Sequence, residues 1–120
     1  MVIEFPSKSW EVATLADVLT AIERPWNGEM HVRAIAIHVA SMRLAVKTLS
    51  DLLDQSPATI SSDWLLSLTA TSIKDMASRV AAPYRRGFVR ASLELIQHTQ
   101  FYRDNELKRT QQFTAGLKYQ

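Results

Sequence analysis

The residues with the clearest chemistry are the arginines between positions 79 and 90. This stretch contains Arg79, Arg85, Arg86 and Arg90, and it contains no acidic residue. A planar guanidinium binds a phosphate or a carboxylate through two hydrogen bonds. Tyr84 lies among the arginines and offers a ring on which a base can stack. The stretch therefore predicts an anion-binding or nucleic-acid-binding site, with these five residues as candidates.

An alternative role for the same arginines is structural. They would then form a solubilising basic corner, or ion pairs with acids of another helix. The acids considered for such pairs are Asp17, Glu23 and Asp54. Three weaker basic candidates lie further along the chain and add to the positive field if they face the same side: Lys108, Arg109 and Lys118.

The charge distribution favours the C-terminal half as the part that attracts an anionic partner. Residues 1–60 carry 5 basic and 7 acidic residues, whereas residues 61–120 carry 9 basic and 5 acidic residues. A polyanion or an acidic protein would be drawn to the second half by its net positive charge.

The histidines do not predict a metal site. A metal centre in a helical bundle takes several inward-facing histidines and carboxylates from facing helices. Here Glu94 and His98 lie one turn apart, and His31 and His38 lie two turns apart, with few carboxylates nearby in sequence. We expect Glu94 and His98 to form a helix-surface pair and His38 to lie at the core boundary. No metal or other cofactor is predicted.

The sequence also lacks the patterns of common enzyme sites. The chain has no cysteine, no glycine-flanked serine and no glycine-rich phosphate loop, since Gly28, Gly87 and Gly116 are isolated. Asp51 and Asp54 fall at a solvated helix end, where a carboxyl pKa is rarely raised. We therefore expect no enzymatic activity.

Prolines and glycines divide the chain into four segments, each with a helical period. The expected helices cover residues 10–23, 29–54, 61–82 and about 84–102, and Ser9 is a plausible N-cap for the first. Short connections between helices of similar length favour antiparallel neighbours. The predicted fold is all-α: an antiparallel helical bundle of about four helices with a polar, basic C-terminal extension.

The second of these helices has two apolar faces. One face is a heptad seam, which consists of Val32, Ile35, Val39, Met42, Val46, Leu49 and Leu53. The other runs through Ile37, Leu44, Ala45 and Leu52. A helix that is apolar on two sides lies in the middle of a bundle or across a subunit interface.

Length and composition indicate one globular domain over residues 1–120. Hydrophobic residues make up 47% and charged residues 22%, which is close to the globular average. We expect an N-terminal arm at 1–8, the bundle at 9–102, and a helical extension or tail at 103–120. The N-terminus lacks a signal-peptide pattern, and the apolar stretch 34–46 is too short and too polar to span a bilayer. A cytoplasmic location without membrane contact is expected.

These features favour a non-enzymatic helical interaction protein that acts as a subunit, adaptor or inhibitor in a larger complex. We expect this chain to bind a partner protein or to self-associate. A helix face that stays apolar after the bundle has formed would indicate such an interface. Further interface candidates are Trp26, Phe113 and Tyr119. Alternatively, Trp26 caps the end of the bundle. The alternative is a nucleic-acid-binding accessory module that contacts phosphates through the arginines without reading base sequence.

Overall fold

A computed structural model describes residues 12–24 and 33–118 of the chain, with side chains at 12–24 and 36–105. The predicted all-helical class is confirmed. The described residues form five α-helices: α1 (Leu15–Glu23), α2 (Arg33–Leu53), α3 (Ser62–Leu66), α4 (Ala70–Ala77) and α5 (Arg85–Lys118). Short 3₁₀ turns connect α2 to α3 at Pro57–Thr59 and α4 to α5 at Ala82–Tyr84. The predicted arm at 1–8 lies outside the described residues.

The first helix begins later than the sequence pattern predicted. The predicted start at Trp10 is wrong, because residues 12–14 are not helical, Thr14 is extended and α1 starts at Leu15. Thr14 and Asp17 form a capping box, in which the Thr14 hydroxyl accepts from the Asp17 amide at 3.3 Å and the Asp17 carboxylate accepts from the Thr14 amide at 2.9 Å. These bonds satisfy amides that no preceding helical turn can satisfy, so the helix starts here.

The extended residues before α1 are held by backbone bonds to the chain before α3. The amide of Leu15 donates to the Ile60 carbonyl at 2.9 Å, and the amide of Ser62 donates to the Ala13 carbonyl at 2.7 Å. Thr14 and Ser61 thereby form an isolated antiparallel bridge, and the described residues contain no β-strand. This pairing, which competes with a longer α1, was not evident from the sequence.

The third predicted helix, expected over 61–82, is two shorter helices. At the end of α3 the Ser67 hydroxyl donates to the Trp64 carbonyl at 2.6 Å, which occupies an acceptor that a continuing helix would use. Thr69 then adopts an extended conformation, and its hydroxyl accepts from the Ser72 amide at 3.1 Å as the N-cap of α4. Hydrogen bonds from polar side chains to the nearby backbone therefore end α3 and start α4. The apolar periodicity had predicted one continuous helix here.

The core lies between α2, α5 and the three shorter helices. From the predicted seam of α2, Val39, Met42, Val46 and Leu49 are buried as expected, and Leu53 is half-buried. Met42, Val46 and Leu49 belong to one contiguous group of buried side chains, and Leu53 packs against it. The group also includes Leu15, Val18, Ile22, Leu65, Ile73, Met76, Phe88 and Leu95. An ion pair between Asp63 and Arg103 adds a polar link from α3 to α5.

The helices α2 and α5 run in opposite directions. His38, near the start of α2, contacts His98 well along α5, whereas Thr48, near the end of α2, shares a groove with Gly87 at the start of α5. The backbone of α5 stays helical beyond the core to Lys118. In the described part of the chain, no helix combines the length and the apolar character needed to cross a membrane.

The packing predicts a large difference between two leucines of α2. Leu49 is fully buried and Leu44 is 61% exposed. We expect Leu49→Ala to lower the free energy of unfolding by about 2–5 kcal/mol, because it removes buried methyl groups and leaves a cavity. Leu44→Ala should change it by less than about 0.5 kcal/mol. Chemical denaturation of both variants checks this, and equal losses would contradict the assignment of the two faces.

Candidate functional site

One face of α2 remains apolar and exposed after the helices have packed. Ile37 and Leu44 lie two turns apart on this face, and their side chains are 59% and 61% exposed. Both belong to the second apolar line predicted from the sequence. Ala45 of that line is buried and Leu52 is half-buried. The second apolar face of α2 is thus only partly covered by the rest of the described chain.

A groove opens beside this face, between α2 and the first turns of α5. We call it the α2–α5 groove, and its volume is about 400 Å³. The residues that line it are Ser41, Leu44, Ala45 and Thr48 from α2, Gly87, Phe88 and Ala91 from α5, and Val80, Pro83 and Tyr84 from the connection before α5. Most of the lining is apolar, and its polar atoms are mainly hydroxyl groups.

The floor and the rim of the groove differ in exposure. Ala45 and Phe88 are buried and form the floor, whereas the Tyr84 side chain is 68% exposed. Phe88 also belongs to the buried core of the protein. Apart from the neighbouring backbone of its own helix, no described atom lies within 4 Å of the position that a Cβ atom would take at Gly87, so this glycine leaves open space that a larger side chain could fill.

The predicted arginine candidates lie around the same end of α5 but differ in their contacts. Arg85 donates from Nε to the Val80 carbonyl at 2.8 Å and from an Nη atom to the Ser78 carbonyl at 3.2 Å. Because these carbonyls follow the end of α4, Arg85 holds the connection between α4 and α5. This structural contact was not anticipated from the sequence.

Arg79, Arg86 and Arg90 are exposed and form no ion pair with an acid of the described residues. Two of the acids considered as their partners are engaged elsewhere. Glu23 accepts from Arg43 at 2.7 Å, and Asp17 caps α1. Arg86 and Arg90 do not line the α2–α5 groove. They line a separate, shallow depression on α5 together with Val89, Leu93, Glu94 and Gln97.

Several predicted candidates fall where the structure gives no side chain. Lys108, Arg109, Phe113 and Lys118 lie on the helical backbone of α5, but their side chains are outside the described residues. Trp26 and Tyr119 are outside the described residues altogether. Their predicted roles in binding stay predictions.

A polar cluster missed by the sequence reasoning links α2 and α5. His38 Nδ1 lies 3.3 Å from a Glu94 carboxylate oxygen, and His38 Nε2 lies 2.8 Å from His98 Nε2. The His98 ring stacks on Tyr102, with 6.2 Å between the ring centroids. Glu94 thus pairs across the helix interface with His38, whereas a surface pair with His98 was expected. The only sequence signal was the placement of Glu94 and His98 on one face of α5.

The cluster lies one helical turn beyond the groove on both helices, since His38 precedes Ser41 and Glu94 follows Ala91. Both ring nitrogens of His38 are engaged, one by Glu94 and the other by His98. Within the described ranges, no group of three or more His, Cys, Asp or Glu side chains is arranged to hold a metal ion. Instead, the side chains form a chain of polar contacts that runs from Glu94 through His38 to His98.

Burial lowers the pKa of His98, and the nearby His38 lowers it further, while the Glu94 carboxylate acts in the opposite direction. Burial also raises the pKa of the Tyr102 hydroxyl. The Nε2–Nε2 hydrogen bond needs one unprotonated nitrogen, because two imidazolium rings offer only donors. Protonation of both rings would therefore break this hydrogen bond.

This arrangement predicts a pH dependence of stability. A lowered pKa in the folded state means that the unfolded chain binds the His98 proton more tightly, so stability is full above pH 6.5. It should fall as the pH decreases from that value toward the lower folded pKa. We expect His98→Gln to lose less stability than the parent protein between neutral and mildly acidic pH, measured by urea denaturation. Identical pH profiles for the two proteins would refute this role of His98.

Comparison with known proteins gives no relative from which a function could be transferred. No protein-family model, no curated protein and no solved structure matches this chain. The groove, the arginines and the histidine cluster are therefore the features from which a function can be inferred.

Proposed function

We propose that this chain is a non-enzymatic helical interaction protein, a subunit, adaptor or inhibitor that binds a protein partner through the α2–α5 groove. The observation that carries the proposal is the apolar face of α2 at Ile37 and Leu44, exposed beside an open groove. The proposal includes a single cytoplasmic domain that forms an antiparallel helical bundle, with the basic C-terminal part of the chain as its extension.

The shape of the groove suits a helix of a partner. Amphipathic helices bind other proteins by placing apolar side chains at i, i+3 or i+4 and i+7 into a groove between two helices. The walls here come from two turns of α2, between Ser41 and Thr48, and from about one turn of α5, between Gly87 and Ala91. Covering Leu44 and Tyr84 would remove apolar surface from water, which favours association.

The chemistry around the groove supports binding over catalysis. The groove itself presents hydroxyl groups from Ser41, Thr48 and Tyr84 and no carboxylate or imidazole. In the nearby histidine cluster, both ring nitrogens of His38 are occupied by contacts with Glu94 and His98. General acid–base catalysis requires such a group to reach a substrate proton.

A variant that fills the groove tests the proposal without removing any contact of the fold. Gly87→Leu adds a side chain where a Cβ meets open space, so the helix should form at least as readily as in the parent. Gly87→Ala is the matched control, because it adds only the Cβ. As the probe we would use a displayed library of amphipathic helical peptides of about 18 residues, a length that allows substantial helicity.

The parent protein and Gly87→Ala should recover peptides from this library, with apolar residues at helical spacing. Gly87→Leu should bind the recovered peptides at least about tenfold more weakly, as expected from the loss of a central apolar contact. Circular dichroism establishes that all three proteins are equally helical. Recovery of no peptide by the parent, or equal binding to Gly87→Leu, would contradict groove binding.

The alternative function is nucleic-acid binding through the arginine cluster. It is favoured by Arg79, Arg86 and Arg90, which are exposed and form no ion pair with an acid of the described residues. Binding to phosphates would fall steeply between about 50 and 200 mM salt, because counterions are released on association. The double variant Arg86→Gln/Arg90→Gln would reduce the salt slope by about 2. Fluorescence anisotropy with labelled single-stranded and double-stranded nucleic acid distinguishes the two functions. The groove-binding proposal predicts no saturable binding of nucleic acid. Salt-sensitive binding would instead favour the nucleic-acid-binding function.

A further inference from the structure

We propose that two copies of this chain associate in an antiparallel arrangement through the outer face of α5. In this dimer the Phe101 ring of each copy enters the depression on α5 of the other copy, and Asp104 of each copy pairs with Arg90 of the other. This surface is separate from the α2–α5 groove, so the inference does not rest on groove binding.

The outer face of α5 keeps two large apolar side chains exposed. Leu93 is 46% exposed and Phe101 is 60% exposed. They lie on one stripe of the helix with Arg90, Gln97 and Asp104, because these five positions are separated by three, four, four and three residues. All five side chains are exposed, so the described part of the chain leaves this stripe uncovered.

The shallow depression lies along the same stripe. The residues that line it are Arg85, Arg86, Val89, Arg90, Leu93, Glu94 and Gln97. Among these, the residues at positions 90, 93, 94 and 97 have the spacing of the four-residue hole that receives one side chain when two helices pack as a coiled coil. Val89 and Leu93 are the apolar residues of the lining. The depression therefore suits a single apolar side chain of a facing helix.

The depression is positively charged. Its three arginines outnumber its one carboxylate, that of Glu94, which lies 3.3 Å from His38 Nδ1. Arg86 and Arg90 form no ion pair with an acid of the described residues. Arg85 donates to backbone carbonyls, which leave its charge unneutralised. An occupant with a carboxylate beside its apolar side chain is therefore favoured.

This chain carries such a pair of side chains on α5 itself. Phe101 and Asp104 are three residues apart and exposed. The Phe101 ring makes an edge contact with Tyr102, with 5.6 Å between the centroids, which restricts its orientation. Asp104 accepts from Gln100 Nε2 at 3.0 Å, and a carboxylate can accept further hydrogen bonds. A second copy thus offers the apolar side chain and the carboxylate that the depression requires.

A two-fold axis at Gln97 matches these positions at once. In a symmetric antiparallel pair, residues equally far before and after the axis face each other. Phe101 then faces Leu93, since both are four residues from Gln97. Asp104 faces Arg90, since both are seven residues from Gln97. The two Gln97 side chains meet at the axis, where each amide can donate and accept a hydrogen bond.

The same register limits the length of the interface. Arg86 and Lys108, both eleven residues from Gln97, would face each other in the dimer. Like charges across an interface oppose association, so the contact is confined to residues 90–104. We therefore expect a weak dimer whose population depends on protein concentration.

The test measures the mass of the full chain by sedimentation from about 1 µM to 1 mM, a range that detects the weak association of a small interface. The parent should shift from monomer to dimer as its concentration rises. Phe101→Ala should raise the dimer Kd at least about tenfold, because it removes the central apolar side chain. Leu44→Ala is the matched control, because it removes a side chain that is equally exposed on another helix, and it should dimerise like the parent.

Charge reversal tests the register. Arg90→Asp and Asp104→Arg should each raise the Kd at least about fivefold, because each places like charges opposite each other at two symmetric sites. The double variant Arg90→Asp/Asp104→Arg should restore the parental Kd. The two positions lie about 21 Å apart along one helix, so they cannot pair within a copy. Restored association therefore requires pairing between copies.

Circular dichroism establishes that all variants remain helical. A parent that stays monomeric at the highest concentration, or a dimer that Phe101→Ala leaves unchanged, would overturn the proposal. Single reversals without effect, or a double reversal that fails to restore the dimer, would overturn it as well. A dimer that Gly87→Leu abolishes would place the contact in the α2–α5 groove and exclude the α5 dimer.

Discussion

The packing of α2 against α5 is the contact on which the rest of the structure depends. These are the two longest helices of the described chain, and α1, α3 and α4 pack their buried side chains against them. Met42, Val46 and Leu49 of α2 and Phe88 and Leu95 of α5 supply much of the shared core. Since such burial is the main favourable term in folding, the position of every exposed feature follows from how these helices meet.

The two helices meet closely at one end and leave space at the other. Where His38 faces Glu94 and His98, side-chain hydrogen bonds bridge the helices. Where Ser41, Gly87 and Ala91 face each other, the side chains are small and a groove remains. Arg85 holds the chain before α5 in place at this open end. Polar contacts therefore lie near both ends of the groove.

Helical periodicity predicted the helical class and the buried seam of α2, because Val39, Met42, Val46 and Leu49 face one direction at helical spacing. It did not predict the break after Leu66 or the late start of α1. In both places hydroxyl and carboxylate side chains bond to nearby backbone amides, and Thr14 with Asp17 and Thr69 with Ser72 carried that signal in the sequence. Apolar spacing alone overlooks such caps.

The candidate site was only partly accessible to sequence reasoning. The two-sided character of α2 and the arginine cluster were visible, because they depend on residue type and local spacing. The His38–His98 contact joins residues 60 positions apart, and the groove depends on which small side chains happen to face each other across the interface. Both follow from the register of α2 against α5, which no local pattern determines.

The proposed function requires that Leu44 lines an open surface that a partner helix covers. Because the chain has no cysteine, a single introduced Leu44→Cys gives a unique thiol whose labelling rate reports its exposure. Val12→Cys, at another exposed apolar position, is the control. Rapid labelling of both thiols, with only the one at position 44 slowed by a recovered peptide, is the predicted result. Slow labelling at position 44 in the free protein, or no protection by the peptide, would contradict the claim.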